Sequence, residues 1–420
     1  MSDIPAERRV LLLVPTTSYR IGDFLEAAER LGVDVAVGTD ELQVLELYAD
    51  GSTLSVEFDD LDRGVAQIVA YDLKFPLAAI VGVDDETMMI AARASQELDL
   101  PNNTPDSVKA AANKHQFRSR LANSGLRAPR FFLVPVDDDI VSAANNSFYP
   151  AVLKPLTLSA SRGVIRASDV NEFAAAFRRI RAILAKAEVT GDAASHVLVE
   201  EYIPGAEIAL EGLLDNGMLT VLALFDKPDP LEGPYFEETI YVTPSRLAED
   251  VQITIAATVE RAVSTLGLSE GPIHAELRIN DEGVWLIEVA ARSIGGLCSR
   301  ALRFSSGRRL EDLILQQALG LPITTADLDR PATGVMMIPI PAAGMLSKVA
   351  GTKAALATAG IEDVTISIPL GENLVPVPEG NKYLGFIFAA GDTPEIVEGA
   401  LRRAHKQLEI EIEPLWQSQI

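Results

Sequence analysis

Along the first hundred residues short apolar runs alternate with stretches of helical spacing: Val10–Val14 before Phe24–Leu31, then Asp34–Val37, then Ala79–Val83 before Met88–Leu98. This alternation predicts a parallel α/β sheet, whose ligands bind beyond the carboxyl ends of the strands, here Pro15-Thr16-Thr17-Ser18 and Val83-Asp84-Asp85-Glu86. No GxGxxG follows the first strand, which disfavours a dinucleotide site. Turn formers at Leu100–Asp106 mark a boundary, and Ser107–Leu121 carries the spacing of a single helix.

From Pro150 the pattern changes to strands and hairpins: Ala151–Lys154, Val164–Arg166, a helix at Val170–Leu184, Val197–Glu201, then Glu207–Leu214 and Leu219–Phe225 turning at Asp215-Asn216-Gly217. A helix at Val251–Leu266 precedes the hairpin Ile273–Ile279 and Val284–Val289, and another follows at Leu310–Ala318. From Pro331 strands alternate with helices at Thr352–Thr358 and Pro394–Leu408. The expected fold class is α/β and α+β multidomain, cut at 1–104, 105–325 (with a lid subdomain over about 130–205) and 326–420.

The 420 residues are enough for about three domains. A net charge of −24 repels phosphate polymers, so nucleic acid is excluded as an expected partner. The lone Cys298 and four histidines leave no disulfide framework and no Cys/His zinc cluster, so any metal should be oxygen-ligated. The apolar run Val10–Pro15 is too short for a secretory leader, and no stretch approaches a bilayer span. The expectation is a cytoplasmic protein with no membrane partner.

The segment from His274 to Gly296 is richest in chemistry. Ile273, Ala275, Leu277 and Ile279 alternate with His274, Glu276 and Arg278, giving one apolar and one charged face. Pairing Ile279 with Trp285 sets Glu276 opposite Glu288, a repulsive arrangement that a cation between them would relieve. Arg292 shares the parity of Glu288, and Gly295-Gly296 permits close backbone approach. A solvated surface hairpin is the alternative reading of the same spacing. Lys154 closes an apolar strand ahead of the loop Ser159-Ala160-Ser161-Arg162-Gly163, whose hydroxyls and amides suit phosphate. Strand Val197–Glu201 runs on through Tyr202-Ile203-Pro204-Gly205-Ala206-Glu207, fit for a base and a ribose or simply a strand and its turn.

Taken in order, Asn113-Lys114, Lys154-Pro with Ser161-Arg-Gly-Val, Glu200-Glu-Tyr-Ile-Pro-Gly-Ala-Glu207, and Glu276 with Glu288-x-x-x-Arg292 resemble the ATP-grasp superfamily over about residues 10–320. The segments Asp226-Lys227-Pro and Pro234-Tyr235-Phe-Glu237-Glu-Thr239, with Arg292-x-x-Gly-Gly, are similar to the carboxylate–amine ligases, in particular the dipeptide-forming L-amino acid ligases. Met336-Met-Ile-Pro339 and Lys382-Tyr383-Leu-Gly385 resemble the C-terminal domain of those ligases.

The resemblance implies an ATP-grasp fold and ATP with Mg²⁺, Mn²⁺ being the alternative ion. It implies phosphate contacts from Lys114 and Lys154, a flexible phosphate loop at Ser161, Arg162 and Gly163, adenine on the backbone of Glu200, Glu201, Tyr202 and Ile203, and ribose on Glu207. Glu276 and Glu288 would hold metal. Arg292, Ser293, Gly295, Gly296, Lys227 and Glu237 would face the substrates, with His274 or Glu237 taking a proton from the amine. One position departs from many superfamily members: Ala290 stands where Asn follows the second metal Glu. The implied activity joins an amino acid carboxylate to an amine through an acyl-phosphate, releasing ADP and phosphate. The partners are then small carboxylates and amines, and the assembly considered is a homodimer. The rival readings are a carboxylating or formylating ligase of nucleotide metabolism and a non-catalytic ATP-binding protein.

Overall fold

The computed structural model describes residues 9–41, 51–323 and 328–414. The expected cut between 325 and 326 lies outside the described residues. The N-terminal unit is a four-stranded parallel sheet in the order Thr53–Ser55, Asp34–Thr39, Arg9–Leu13, Leu77–Gly82. Val10 to Leu13 are wholly buried, which is why this strand reads as a continuous apolar run. Helices Ile21–Leu31, Leu61–Asp72 and Asp85–Glu97 complete the unit. The Leu61–Asp72 helix and the short Thr53–Ser55 strand had no expectation in the sequence. A reciprocal cap between Asp84 and Thr87 starts the third helix, and so fixes Asp84 and Asp85 at the carboxyl end of the Leu77–Gly82 strand.

The single helix expected over Ser107–Leu121 is two, Pro105–Ala112 and Lys114–Leu121. Asn113 between them is extended (φ −98°, ψ 109°), and its side chain accepts from the amides of His115 and Gln116. Capping chemistry wins over helical continuity here. The break makes Lys114 the first residue of a new helix, with its amide on the Leu156 carbonyl at 2.9 Å.

The lid is an antiparallel sheet in the order Phe131–Pro135, His196–Glu201, Ala151–Lys154, Ile165–Ala167. Helix Val170–Lys186 covers it with Phe173, Phe177 and Ile180, all fully buried. Cutting either phenylalanine to Ala would cost about 3–5 kcal/mol.

The largest sheet has eight strands, all antiparallel to their neighbours: Gly283–Ala290, Gly271–Asn280, Ala206–Asp215, Met218–Lys227, Ile240–Thr243, Ala332–Ile338, Gly385–Gly391, Ile361–Ile366. It runs through the expected domain boundary, because Ile240–Thr243 pairs with Ala332–Ile338. Helix Glu249–Leu266 packs beneath the Ile273/Ala275/Leu277 face, and Pro394–His405 lies against the C-terminal strands. The C-terminal unit adds a three-stranded sheet, Asn373–Leu374, Gly344–Ala350, Glu409–Glu413. Gly205 turns the chain between lid and floor at φ +126°, where a Cβ would stand 2.1 Å from the Ile279 carbonyl oxygen. Only glycine fits there.

Candidate active site

A cavity of about 420 Å³ opens where the N-terminal strand ends, the lid, the large sheet and the C-terminal unit meet. The hairpin that supplies its floor has an unforeseen register. Ile279 pairs with Val284 and Arg278 with Trp285, one residue away from expectation, yet Glu276 still faces Glu288. A bulge at Ile287 restores the offset, with Leu277 opposite Leu286 and then Glu276 opposite Glu288. The bulge also switches parity: Leu286 and Val289 both pack in the core, so Glu288, Ala290 and Arg292 line the cavity. The Ile287 carbonyl, displaced from the ladder, accepts from Arg118 at 2.7 Å.

On the lid side, Lys154 Nζ lies 2.6 Å from Glu200, whose carboxylate also pairs with Arg118 at 2.8 Å. Burial pushes the Glu200 carboxyl up, but the charges of Arg118 and Lys154 outweigh it and hold it below the ordinary range. Burial pulls the Lys154 ammonium below its usual value in spite of Glu200. Lys114 Nζ donates to the Leu158 carbonyl at 2.9 Å and stands 3.6 Å from Glu288. In the loop that follows, Ala160, Ser161 and Gly163 all take left-handed φ between 53° and 73°. That conformation is costly for the two non-glycines. Ser161 lines the cavity and Arg162 an adjoining pocket, while Gly163 is outside both and its amide donates to Pro378 of the C-terminal unit at 2.8 Å.

At the turn out of the lid, the amides of Glu201 and Tyr202 are already spent on the Arg130 and Pro150 carbonyls. The Ile203 amide has no acceptor among the described residues. Glu207 has one carboxylate oxygen on Lys227 and the other on Arg278, each at 2.9 Å.

The opposite side of the floor is an acidic cluster. Oxygens of Glu207, Glu238 and Glu276 lie within 4.8 Å of one another, and the Lys227 ammonium binds all three. Burial lowers the Lys227 ammonium's affinity for its proton, but the three carboxylates reverse this and raise it well above the ordinary value. Glu276 is held well below the carboxylate range by Lys227 and His274, against the pull of burial. In Glu238 burial dominates over Lys227, and its carboxyl is pushed up to about 7. His274 is clasped by Glu211 and lies 3.5 Å from Glu276; against its burial, these acids raise it to about 9. A group that holds its proton to that pH cannot accept one at neutrality, so the proton-acceptor role expected of His274 does not fit its surroundings. Glu237 is likewise displaced: it is not among the cavity's lining residues, whereas its neighbour Glu238 is.

Arg292 lines the cavity as expected, but one edge of its guanidinium fork is occupied within the chain. Nε and Nη2 donate to the two oxygens of Asp85 at 2.9 and 2.8 Å, and Nη1 to the Ser293 carbonyl at 3.0 Å. These bonds use three of the five guanidinium hydrogens and leave two for a ligand. Ser293 is buried under Arg20, whose Nη2 donates to its hydroxyl at 2.5 Å, and neither Ser293 nor Lys227 is a lining residue. Gly295 and Gly296 line the cavity, Gly296 at φ +64° with the Phe386 ring where a Cβ would stand. Arg118, Glu211, Asp85 and Arg20 were missed. Asp85 had been noted at a strand end, and the other three lie in stretches whose spacing shows no chemistry.

This fold and cavity define an ATP-grasp protein. The ATP-grasp domain model matches residues 147–301 and the ATP-grasp N-terminal domain residues 25–102, so the chain belongs to the ATP-grasp superfamily, whose fold implies ATP binding and dependence on a divalent metal. Within it, the L-amino acid ligase C-terminal domain 2 matches residues 336–413. The ATP-grasp domain together with the ligase relatives below supports a C–N bond-forming ligase. A solved L-amino acid ligase from Bacillus licheniformis superposes with a TM-score of 0.82 at 26% identity, covering 97% of this chain and 99% of that one. Dapdiamide A synthase of Enterobacter agglomerans is 28% identical over 56% of this chain and 54% of its own length. Alanine–anticapsin ligase of Bacillus subtilis is 24% identical over 64% of this chain and 60% of its own. Alignment to these two curated ligases thus spans little more than half of each. Among the described residues no helix is long and apolar enough to cross a membrane.

Proposed function

We propose that the protein activates an amino acid carboxylate with the γ-phosphate of ATP and couples the acyl-phosphate to the amine of a second amino acid. The observation that carries this reading is one cavity in which Lys114 and Lys154 stand with Arg292, Glu276 and Glu288, closed by a C-terminal domain of the L-amino acid ligase type. A carboxylate oxygen attacks the γ-phosphorus and the bond to the β-phosphate oxygen breaks, releasing ADP. The amine then attacks the acyl carbon, the bond to the phosphate oxygen breaks, and an amine proton leaves to a base. Glu238, with its carboxyl near 7, suits that base far better than the protonated His274.

Lys114 and Lys154 offset charge on the phosphates as they move. The Ile203 amide is the free donor suited to adenine. The oxygen-only donor set fits Mg²⁺ or Mn²⁺: Glu276 and Glu288 would hold the ion, which would supply further charge neutralisation at the phosphates. Arg292 would orient the reacting carboxylate through the hydrogens that Asp85 leaves free. The test is phosphate release from ATP across the twenty amino acids, singly and in pairs. The reading expects ADP, phosphate and a dipeptide in equal amounts for some pair. AMP and pyrophosphate, or turnover that needs bicarbonate or formate, would overturn it.

A further inference from the structure

Nine carboxylates and six lysine or arginine side chains line the cavity. Five of those six cations have partners within the chain. Arg20 has the Val83 carbonyl and Asp84; Lys114 has Leu158 and Glu288; Lys154 has Glu200; Arg278 has Glu207; Arg292 has Asp85. The sixth, Lys382, is exposed and makes no ion pair or hydrogen bond among the described residues. It comes from the C-terminal unit, on a loop that is tied to the lid. Arg179 forks onto the Glu379 carboxylate at 2.5 and 2.8 Å, Arg162 Nε donates to the Glu379 carbonyl at 3.0 Å, and the Gly163 amide to Pro378. The next residue, Tyr383, packs edge-on against Phe386, which also meets Tyr19 and closes over Gly296. Lys382 therefore enters the cavity where the phosphate loop, the N-terminal strand end and the Gly295–Gly296 corner come together.

We propose that Lys382 binds the unreactive α-carboxylate of the amine-donating amino acid. The inference rests on the ligase reading above and adds the group that recognises the second amino acid by its free carboxylate, which a simple amine lacks. The reaction brings three anionic groups together. Two of them react, the triphosphate and the carboxylate that is activated, and Lys114, Lys154 and Arg292 serve those. The third only has to be held, in a cavity whose fixed charges are mostly negative, and a flexible ammonium without an internal counter-ion supplies that grip.

The experiment uses the full chain with Lys382→Met and Lys382→Arg. Each of the twenty amino acids that serves as acceptor is compared with its own primary amide, and hydroxylamine serves as a carboxylate-free acceptor. The parent should prefer the free acid. Lys382→Met should raise KM for the acid about 10- to 100-fold, the range of a charge-assisted hydrogen bond, and so erase the preference. Lys382→Arg should recover most of it. An unchanged KM for the acid, an equal rise for the amide, or a rise in KM for ATP instead would each overturn the assignment. Failure of the parent to form ADP and hydroxamate with any amino acid would sink the ligase reading and this inference with it. Hydroxamate formation with an unchanged acceptor KM in Lys382→Met would sink the inference alone.

Discussion

Two buried charge clusters wall the cavity, and they are unbalanced in opposite directions. At the lid, two cations, Arg118 and Lys154, share the single carboxylate of Glu200. On the floor, the single ammonium of Lys227 serves Glu207, Glu238 and Glu276, with protonated His274 between Glu211 and Glu276. The first is short of negative charge and suits a phosphate. The second is short of positive charge and suits an incoming ammonium or metal. Lys114 bridges the two sides, 3.6 Å from Glu288. A buried ion cluster is weak evidence for stability in itself. The lid cluster has charge to spare for a ligand, whereas on the floor Lys227 is the one cation shared by Glu207, Glu238 and Glu276, with Arg278 on Glu207 and His274 beside Glu276.

The largest effect should come from removing that lysine. Lys227→Met removes the cation shared by three carboxylates, leaving Glu207 on Arg278, Glu276 beside His274 and Glu238 with no cation; it should cost about 3–5 kcal/mol in urea denaturation, partly regained at lower pH as the carboxylates protonate. Lys154→Met leaves Glu200 still paired with Arg118 and should cost only about 1 kcal/mol, while ADP formation falls about 100-fold or more. Equal losses of stability in the two variants would show that the contrast between the clusters is false.

The hairpin and the strand carrying Lys154 were legible because alternation and turn residues are local. So was the series of site motifs, whose order places them on one cleft. What stayed hidden depends on distant partners. Nothing near Arg292 announces that Asp85, more than two hundred residues earlier, occupies one edge of its fork. The choice between Glu237 and Glu238 could not be read either, since residues 228–239 lie outside regular strands and carry no parity. The bulge at Ile287 shows how a wrong register can still give the right facing pair: the error of one residue and the extra residue cancel at Glu276 and Glu288. The eight-stranded sheet takes strands from both sides of the expected cut, because Ile240–Thr243 pairs with Ala332–Ile338, and such long-range hydrogen bonding leaves no mark in either strand.

A middle-sized effect should appear with pH on the floor. The His274 proton is bound more tightly in the folded protein, with an affinity near 9 against an ordinary 6.5. Its contribution is therefore complete below about pH 6.5 and is lost as pH rises through 9, roughly 3 kcal/mol at most. His274→Gln should flatten that alkaline loss. Product formation should instead rise as pH climbs through about 7, where Glu238 gives up its proton, and Glu238→Gln should remove that limb. A stability curve that is flat between pH 6.5 and 9.5 in the parent protein would contradict the protonated His274.

The smallest effect tests whether the bridge between the clusters is built by the helix break. Asn113 caps the Lys114–Leu121 helix through two amides, at 3.1 Å each, and so sets the position from which Lys114 reaches Leu158 on one side and Glu288 on the other. Asn113→Ala removes the cap without touching a charge. It should cost about 1 kcal/mol of stability, the usual worth of an N-cap. If the two short helices then fuse toward one, Lys114 turns away from the phosphate loop, and KM for ATP should rise about threefold to tenfold with KM for the amino acids little changed. Asn113→Ser or Asn113→Asp, which can cap, should keep both values near those of the parent. A loss of stability with no change in KM for ATP would mean that Lys114 is placed by its own contacts, the Leu156 and Leu158 carbonyls and Glu288, and that the break serves only the fold.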